Sequence, residues 1–297
     1  MVVFPAMPGT ETAPSHRTAA LLWAVALVLM LGAAVWQRLS GPTHPRLGRT
    51  TVAGQPMRWR LLRSGTSGEP FLVTLRPPAG VGGVVRYRRY PGSQPFTEVP
   101  LQRDDDALVA LLPAQPPAGR LEYFVLLRDG SGELRLPPGE PVVMRFKGEV
   151  PALVLIPHVV VIFLSMLIGV RAALAALLGR PEARRYAWVT LVGITLGGMI
   201  LGPVVQKYAF GALWTGWPFG SDVTDDKTAV MWLAWIAAVA VVSRRREARD
   251  RLARVAVALA AAVMIAVYVV PHSLRGSQLD YSKLRPAPGS EPSHLAQ

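Results

Sequence analysis

The sequence predicts a membrane α-helical protein that carries an all-β extracytoplasmic domain between its first and second spans. Three observations predict it. Hydrophobic residues make up 51% of the 297-residue chain, and they gather in five long runs. Basic residues crowd some of the loops between these runs and are sparse in others. Residues 56–148 abandon the long runs for short alternating segments separated by turn residues.

The runs follow in order. Thr18–Trp36 carries no charge over 19 residues, which matches the ~20 residues that cross a hydrocarbon core. It is longer than a signal-peptide core and no small-x-small cleavage site follows, so it reads as an uncleaved anchor behind a cytoplasmic tail of residues 1–17. Pro151–Leu178, Tyr186–Val205, a run from Thr228 to Ser243, and Val255–Val270 supply four more spans, so residues 151–271 read as a four-helix transmembrane domain. Gly193, Gly197, Gly198 and Gly202 in the third span would let helices approach closely. Mid-span positions are otherwise Ala, Leu, Val, Ile and Gly, which argues against proton relays or ion paths.

The loops orient the spans. Arg171–Arg185 carries Arg171, Arg180, Arg184 and Arg185 against Glu182, and Arg244–Arg254 carries six arginines against Glu247 and Asp250. The loop between spans three and four carries Lys207 and Lys227 against Asp222, Asp225 and Asp226. Arginine-rich loops stay in the cytoplasm. The N-terminus is therefore expected inside, with residues 37–150 and a tail of residues 272–297 outside. The net charge of +13 has the same topological origin, and no stacking aromatics accompany the arginine runs, so nucleic acid is not an expected partner. The Ala, Arg, Gly and Pro bias is that of a GC-rich bacterium, and the membrane is accordingly read as a bacterial inner membrane.

Residues 37–55 read as a polar linker. From Met57 to Gly148, seven or eight short strands such as PFLVTLRP, ALVALLP and RLEYFVLLRDG suggest an antiparallel sandwich of immunoglobulin or fibronectin type III kind. Tyr123 stands where such folds carry a corner tyrosine. Arg86, Arg88 and Arg89 offer themselves to an acidic partner or form a solvated strand face, and Asp104–Asp106 reads as a turn. There is no cysteine, and no phosphate loop, nucleophile elbow or dinucleotide fingerprint, so thiolate zinc, nucleotide and serine-hydrolase chemistry have no support.

The stretch WPFGSDVTDDKTAVMWLAW sets aromatics and acids against an apolar run. An aromatic belt explains the tryptophans, and helix capping is the expected role of Asp222, Asp225 and Asp226, with Asp225 or Asp226 accepting from the free N–H groups that open span four. Lys207 and Lys227 read as interfacial side chains that reach for water. His158 and His272 occur in matching settings, Ile156-Pro157-His158 and Val270-Pro271-His272, on the side expected to carry this loop. Neutral imidazole is a common axial ligand of heme iron.

Thr195–Arg245 resembles the tryptophan-rich signature of the heme-handling membrane proteins of cytochrome c biogenesis. The residues that carry the resemblance are Phe210-Gly211, Trp214, Trp217, Asp222, Asp225-Asp226-Lys227-Thr228 and Trp235. Phe210 stands where that family has tryptophan, and Pro218–Ser221 is an insertion. The four-span region as a whole is similar to bacterial multi-span membrane proteins. The resemblance implies heme as cofactor, with His158 and His272 as iron ligands and Phe210, Trp214, Trp217 and Asp222 forming the platform. Three readings stay open: heme binding or presentation, a non-catalytic scaffold whose sandwich recruits a periplasmic or membrane partner, and a transporter or lipid-modifying enzyme using the outer carboxylates.

Overall fold

The structure, a computed structural model, describes residues 16–130, 132–245, 250–271, 279 and 281. The chain divides into two compact units. One comprises residues 1–39, 156–202 and 227–270, the other residues 40–155, 203–226 and 271–297.

The first unit is helical. Its helices are α1 (His16–Ser40), α2 (Ala152–Leu177), α3 (Glu182–Ile194), α5 (Val223–Arg244) and α6 (Arg251–Val269). A π-helical segment, Thr195–Leu201, continues α3 into α4 (Gly202–Phe210). With 182–210 taken as one helix, five helices among the described residues are long and apolar enough to cross a membrane, as a multi-pass membrane protein requires. Each of the five expected apolar runs coincides with one of them, Pro151–Leu178 overrunning its helix by one residue at each end and Val255–Val270 by one residue. The core joins Ala26 and Met30 of α1 to Val170, Ile194, Trp235, Val257 and Met264. Alanine dominates the contacts, which lets the helices come close without ridges of branched side chains. Gly193 serves the same end, since a Cβ there would lie 2.1 Å from Ser165 Oγ.

Arg171 departs from expectation. It is not a loop residue but lies inside α2, 1% exposed. Its guanidinium is 3.4 Å from Glu182 and sits over the rings of Tyr186 and Trp23 at 5.0 and 5.7 Å. A planar, weakly hydrated cation tolerates burial where a carboxylate and π faces replace water. The expected span Pro151–Leu178 contains Arg171, and only the count of loop charges assigned it to the cytoplasmic loop. At the N-terminus of α6, the carboxylate of Asp250 accepts from the Leu252 and Ala253 amides. The Ala253 bond, opposed by desolvation and helped by Arg245, holds its pKa below the usual carboxylate range. At the C-terminus of α6, the Lys227 ammonium donates to the carbonyl of Val270, where the helix dipole favours a cation. The side chain expected to reach for water closes a helix instead.

The second unit is built on strands β1 (Arg46–Val52), β2 (Gln55–Leu61), β3 (Ser64–Thr66), β4 (Phe71–Leu75), β5 (Gly82–Arg89), β6 (Thr97–Pro100), β7 (Gln102–Asp104), β8 (Ala107–Leu112), β9 (Arg120–Asp129), β10 (Gly132–Leu136) and β11 (Val142–Lys147). One sheet runs β3-β11-β9-β5-β6 with β10 also on β9, a second runs β4-β8-β7, and β1 and β2 pair alone. All pairings are antiparallel except β11 with β3. Residues 46–52 are thus not linker. Ala53 and Gly54, with φ of 48° and 74°, close a two-residue hairpin that the polar composition of RLGRTTV concealed.

Alternate residues of β2, β4 and β8 (Met57, Trp59 and Leu61; Phe71, Val73 and Leu75; Leu108, Ala110 and Leu112) meet Val85, Tyr123, Val125, Met144 and Phe146 of the larger sheet in one core. Asp104–Asp106 forms the β7–β8 turn, with Asp105 at φ 48°. Arg86 pairs with Glu98 and Arg88 with Glu122, with Arg88 also over the Phe96 ring. These arginines have partners within the unit.

Tyr123 is fully buried and its hydroxyl donates to the carbonyl of Leu62 at 2.7 Å. Burial pushes the phenol far above its ordinary pKa, against the pull of nearby Arg63. The bond ties β9 to the segment between β2 and β3, 61 residues earlier in the chain. Tyr123→Phe should lower the thermal midpoint of the β unit, a loss of about 1 kcal/mol, read by near-ultraviolet circular dichroism on the full chain.

Candidate functional site

Residues 211–222 form the loop between α4 and α5, and the three acids at its end organise it. Asp222 Oδ1 accepts the Thr224 amide at 2.9 Å, so Asp222 caps α5. Capping was the expected role for the three acids, with Asp225 or Asp226 named as acceptors at the start of span four. Those two lie within the first turn of α5 and turn back on the loop. Asp225 Oδ2 accepts the amides of Thr215 at 2.7 Å and Gly216 at 2.9 Å, and Gln206 Nε2 at 3.0 Å. Asp226 Oδ1 accepts the amide of Trp217 at 2.6 Å. A carboxylate has room for several donors, and here each replaces a water molecule on an otherwise irregular backbone. The acids beside an apolar run are the loop's internal frame.

The same loop is fastened to β11. The Gly148 amide donates to the Ala209 carbonyl at 2.9 Å. The Arg145 guanidinium lies 4.1 Å from the centroid of the Phe210 ring. Arg120, Arg145 and Asp222 are each buried, and the Asp222 carboxylate favours the charged form of both arginines. Burial, and then repulsion from Arg120, nonetheless pushes Arg145 down to about 10. Burial likewise lowers Arg120, against Tyr90, Asp222 and Tyr281. Of the expected platform residues, Phe210 and Asp222 are therefore engaged by β-unit arginines. Trp217 and Phe219 stand outward, 78% and 83% exposed, while Trp214 is half-buried and its Nε1 donates to the Trp217 carbonyl at 3.2 Å.

His158 belongs to the helical unit. Its Nδ1 is 2.9 Å from the carbonyl of Gly197, inside the π-helical segment. The same carbonyl also receives the Gly202 amide, the i→i+5 bond that defines the segment. A carbonyl only accepts, so Nδ1 carries the hydrogen and the neutral ring keeps its lone pair on Nε2. Near this turn, Thr195 Oγ1 donates to Leu191 and receives Trp232 Nε1 at 2.9 Å. His272 lies outside the described residues. Trp235 is fully buried in the helical core. Among the described residues no three His, Asp or Glu side chains converge to hold a bare metal ion.

Sequence reasoning missed Arg120, Arg145 and Tyr281. The Tyr281 hydroxyl receives the Arg120 amide at 2.9 Å and lies 3.0 Å from both the Arg120 carbonyl and Gln115 Oε1, under the guanidinium of Arg89. The register of β9 offered no signal, because both of its faces are buried from Arg120 to Leu127.

Asp225→Ala should loosen the loop selectively. Losing bonds to a charged acceptor, worth about 1.5–3 kcal/mol, should speed amide exchange at Thr215 and Gly216 roughly tenfold or more. Hydrogen–deuterium exchange on the full chain checks this, with β9 amides unchanged as the control.

In comparisons with known proteins, no family model matches the chain and no curated relative matches it.

Proposed function

We propose that this is a multi-pass protein of a bacterial inner membrane that binds heme at its extracytoplasmic face, in cytochrome assembly or electron transfer. The observation that carries the reading is the His158 imidazole, oriented through Nδ1 by the Gly197 carbonyl with Nε2 left as its lone-pair nitrogen. Histidine ligands of metals typically donate their other N–H to such an acceptor, which fixes the tautomer and raises ligand basicity. π-helical turns also gather at functional sites. His272 is the second ligand of this reading, and the resemblance of Thr195–Arg245 to heme-handling proteins supports it. Bound heme would supply a one-electron couple or a deliverable cofactor. The chain's own residues would hold the imidazole, present the Trp214–Trp217 aromatics, and frame the loop through Asp225 and Asp226. Phe210 and Asp222 we assign to holding the loop through Arg145. No turnover is proposed.

The β unit we read as an immunoglobulin or fibronectin III-like sandwich. The order β4-β8-β7 corresponds to strands B, E and D of that fold, and β6-β5-β9-β11 to C′, C, F and G. Large outward apolar side chains such as Val28, Val192 and Leu259 support insertion of the helices in lipid. A second reading, a scaffold that recruits a periplasmic or membrane protein, draws on the loop's attachment to β11, which leaves the Trp217 and Phe219 tips outward.

Heme added to the detergent-purified chain should give a Soret band that shifts on reduction. It should be lost in the His158→Ala/His272→Ala double variant and regained with exogenous imidazole. No uptake by the wild type, or an unchanged spectrum in the variant, would reject the heme reading and leave the scaffold in front. The absence of native cysteine makes topology directly testable. In intact spheroplasts, Thr97→Cys should react with an impermeant maleimide and Arg184→Cys should not. The reverse pattern would overturn the orientation.

A further inference from the structure

Four arginines of the helical unit meet around one cavity between the α2–α3 and α5–α6 connections. It holds about 60 Å³, and Arg180, Arg184, Arg245 and Arg254 line it beside the apolar Ala176 and Val257. That is several times the ~10–15 Å³ that one water needs, the scale of a small oxyanion. Arg254, in the first turn of α6, donates through Nε to the Ala176 carbonyl at 2.9 Å and through Nη2 to the Leu177 carbonyl at 2.6 Å. It thereby closes the C-terminal end of α2, where the helix dipole favours a cation. Its Nη1 takes no part in either bond. Arg245 Nη1 lies 3.1 Å from Asp250 Oδ2, and Arg180 Nη1 lies 3.8 Å from Glu182 Oε1. Arg184 stands exposed in the first turn of α3.

The acids at this end are shared. Glu182 answers Arg171 as well as Arg180. Asp250 holds the amides of Leu252 and Ala253 besides Arg245. The sequence sets the balance however these groups pair. Residues 171–185 and 244–254 hold ten arginines against three acids, Glu182, Glu247 and Asp250, a surplus of seven. The one acid of residues 1–17, Glu11, is matched there by Arg17. Membrane topology requires only that such loops be basic. It does not require four of their arginines to rim one cavity with apolar walls.

We infer that the Arg180–Arg184–Arg245–Arg254 cavity binds a phosphate group. Guanidiniums match the oxygens of phosphate in geometry, and more than one can share a single phosphate. A phospholipid headgroup and a soluble phosphate share that chemistry. The lipid fits better: Ala176 and Val257 belong to α2 and α6, two of the helices long and apolar enough to span a membrane, and basic pockets between such helices on the cytoplasmic side receive anionic headgroups. The lipid source rests on reading these helices as spans with the arginine loops inside, which the maleimide labelling tests separately. The heme reading is not involved.

Isothermal titration of the purified full chain in nonionic detergent tests it, at fixed ionic strength, with inorganic phosphate and with dihexanoyl phosphatidic acid. Dihexanoyl phosphatidylcholine is the control ligand. The control variant is Arg251→Gln, which removes an exposed arginine of the same loop that does not line the cavity. The expected result is saturable binding of phosphatidic acid, weakened about tenfold or more by Arg184→Gln and by Arg254→Gln, as loss of a charge-assisted hydrogen bond implies. Arg184→Gln is the primary variant because Arg254 also closes α2. Arg251→Gln should bind like the wild type. Binding of phosphatidic acid without inorganic phosphate assigns the lipid headgroup. Binding of inorganic phosphate in competition with phosphatidic acid assigns a site open to soluble phosphate. The inference is overturned if neither probe binds, if phosphatidylcholine binds equally well, if Arg184→Gln and Arg254→Gln bind like the wild type, or if Arg251→Gln weakens binding as much as they do. Lack of binding together with the expected maleimide pattern rejects this site and leaves the spans standing.

Discussion

Burying a guanidinium is expensive unless its charge is answered, and at Arg145 the second unit sets an aromatic face and a carboxylate against it. The side chain leaves β11, stacks on Phe210 and lies in the field of Asp222. Those two residues bracket the tryptophan-rich loop. Holding both ends fixes where α4 stops and where α5 begins. Asp222 then caps α5, and Asp225 and Asp226, one turn on, reach back to gather the amides of Thr215, Gly216 and Trp217. A loop with glycines at 211, 216 and 220 and a proline at 218 gains a defined shape from acceptors supplied by its own flanks. Its aromatic tips are left outward because the polar backbone is satisfied from within.

The helical unit meets a comparable requirement differently. Where a π turn leaves the backbone carbonyls widely spaced, side chains enter: His158 at Gly197, and Trp232 through Thr195. The imidazole and the indole are each oriented by a single hydrogen bond in surroundings that offer few others. Arg171, in α2, borrows aromatic faces and Glu182 in place of water.

The spans were legible in the sequence because hydropathy over some 20 residues integrates out local detail. The same averaging erred at α5, which begins at Val223, five residues before the apolar run. The β region was legible as short apolar segments between turn residues, and the alternation read at Leu121, Tyr123, Val125 and Leu127 falls on β9, where the structure buries both faces. Alternation fails where both faces are covered, so Arg120 and Arg145 carried no mark of their meeting. The hairpin at Ala53-Gly54 escaped because alanine at positive φ is not a turn residue that composition flags. Which carboxylate caps and which ones frame depends on a helix boundary that propensity does not resolve.

Tyr281 gives the chain a temporal order. Its hydroxyl completes the hydrogen bonding of the Arg120 backbone from 161 residues downstream. During synthesis, β9 leaves the ribosome long before its last partner does, and at about 5–20 residues per second that interval is on the order of 10–30 s. Tyr281 can take its place against β9 only after the rest of the described chain has been made.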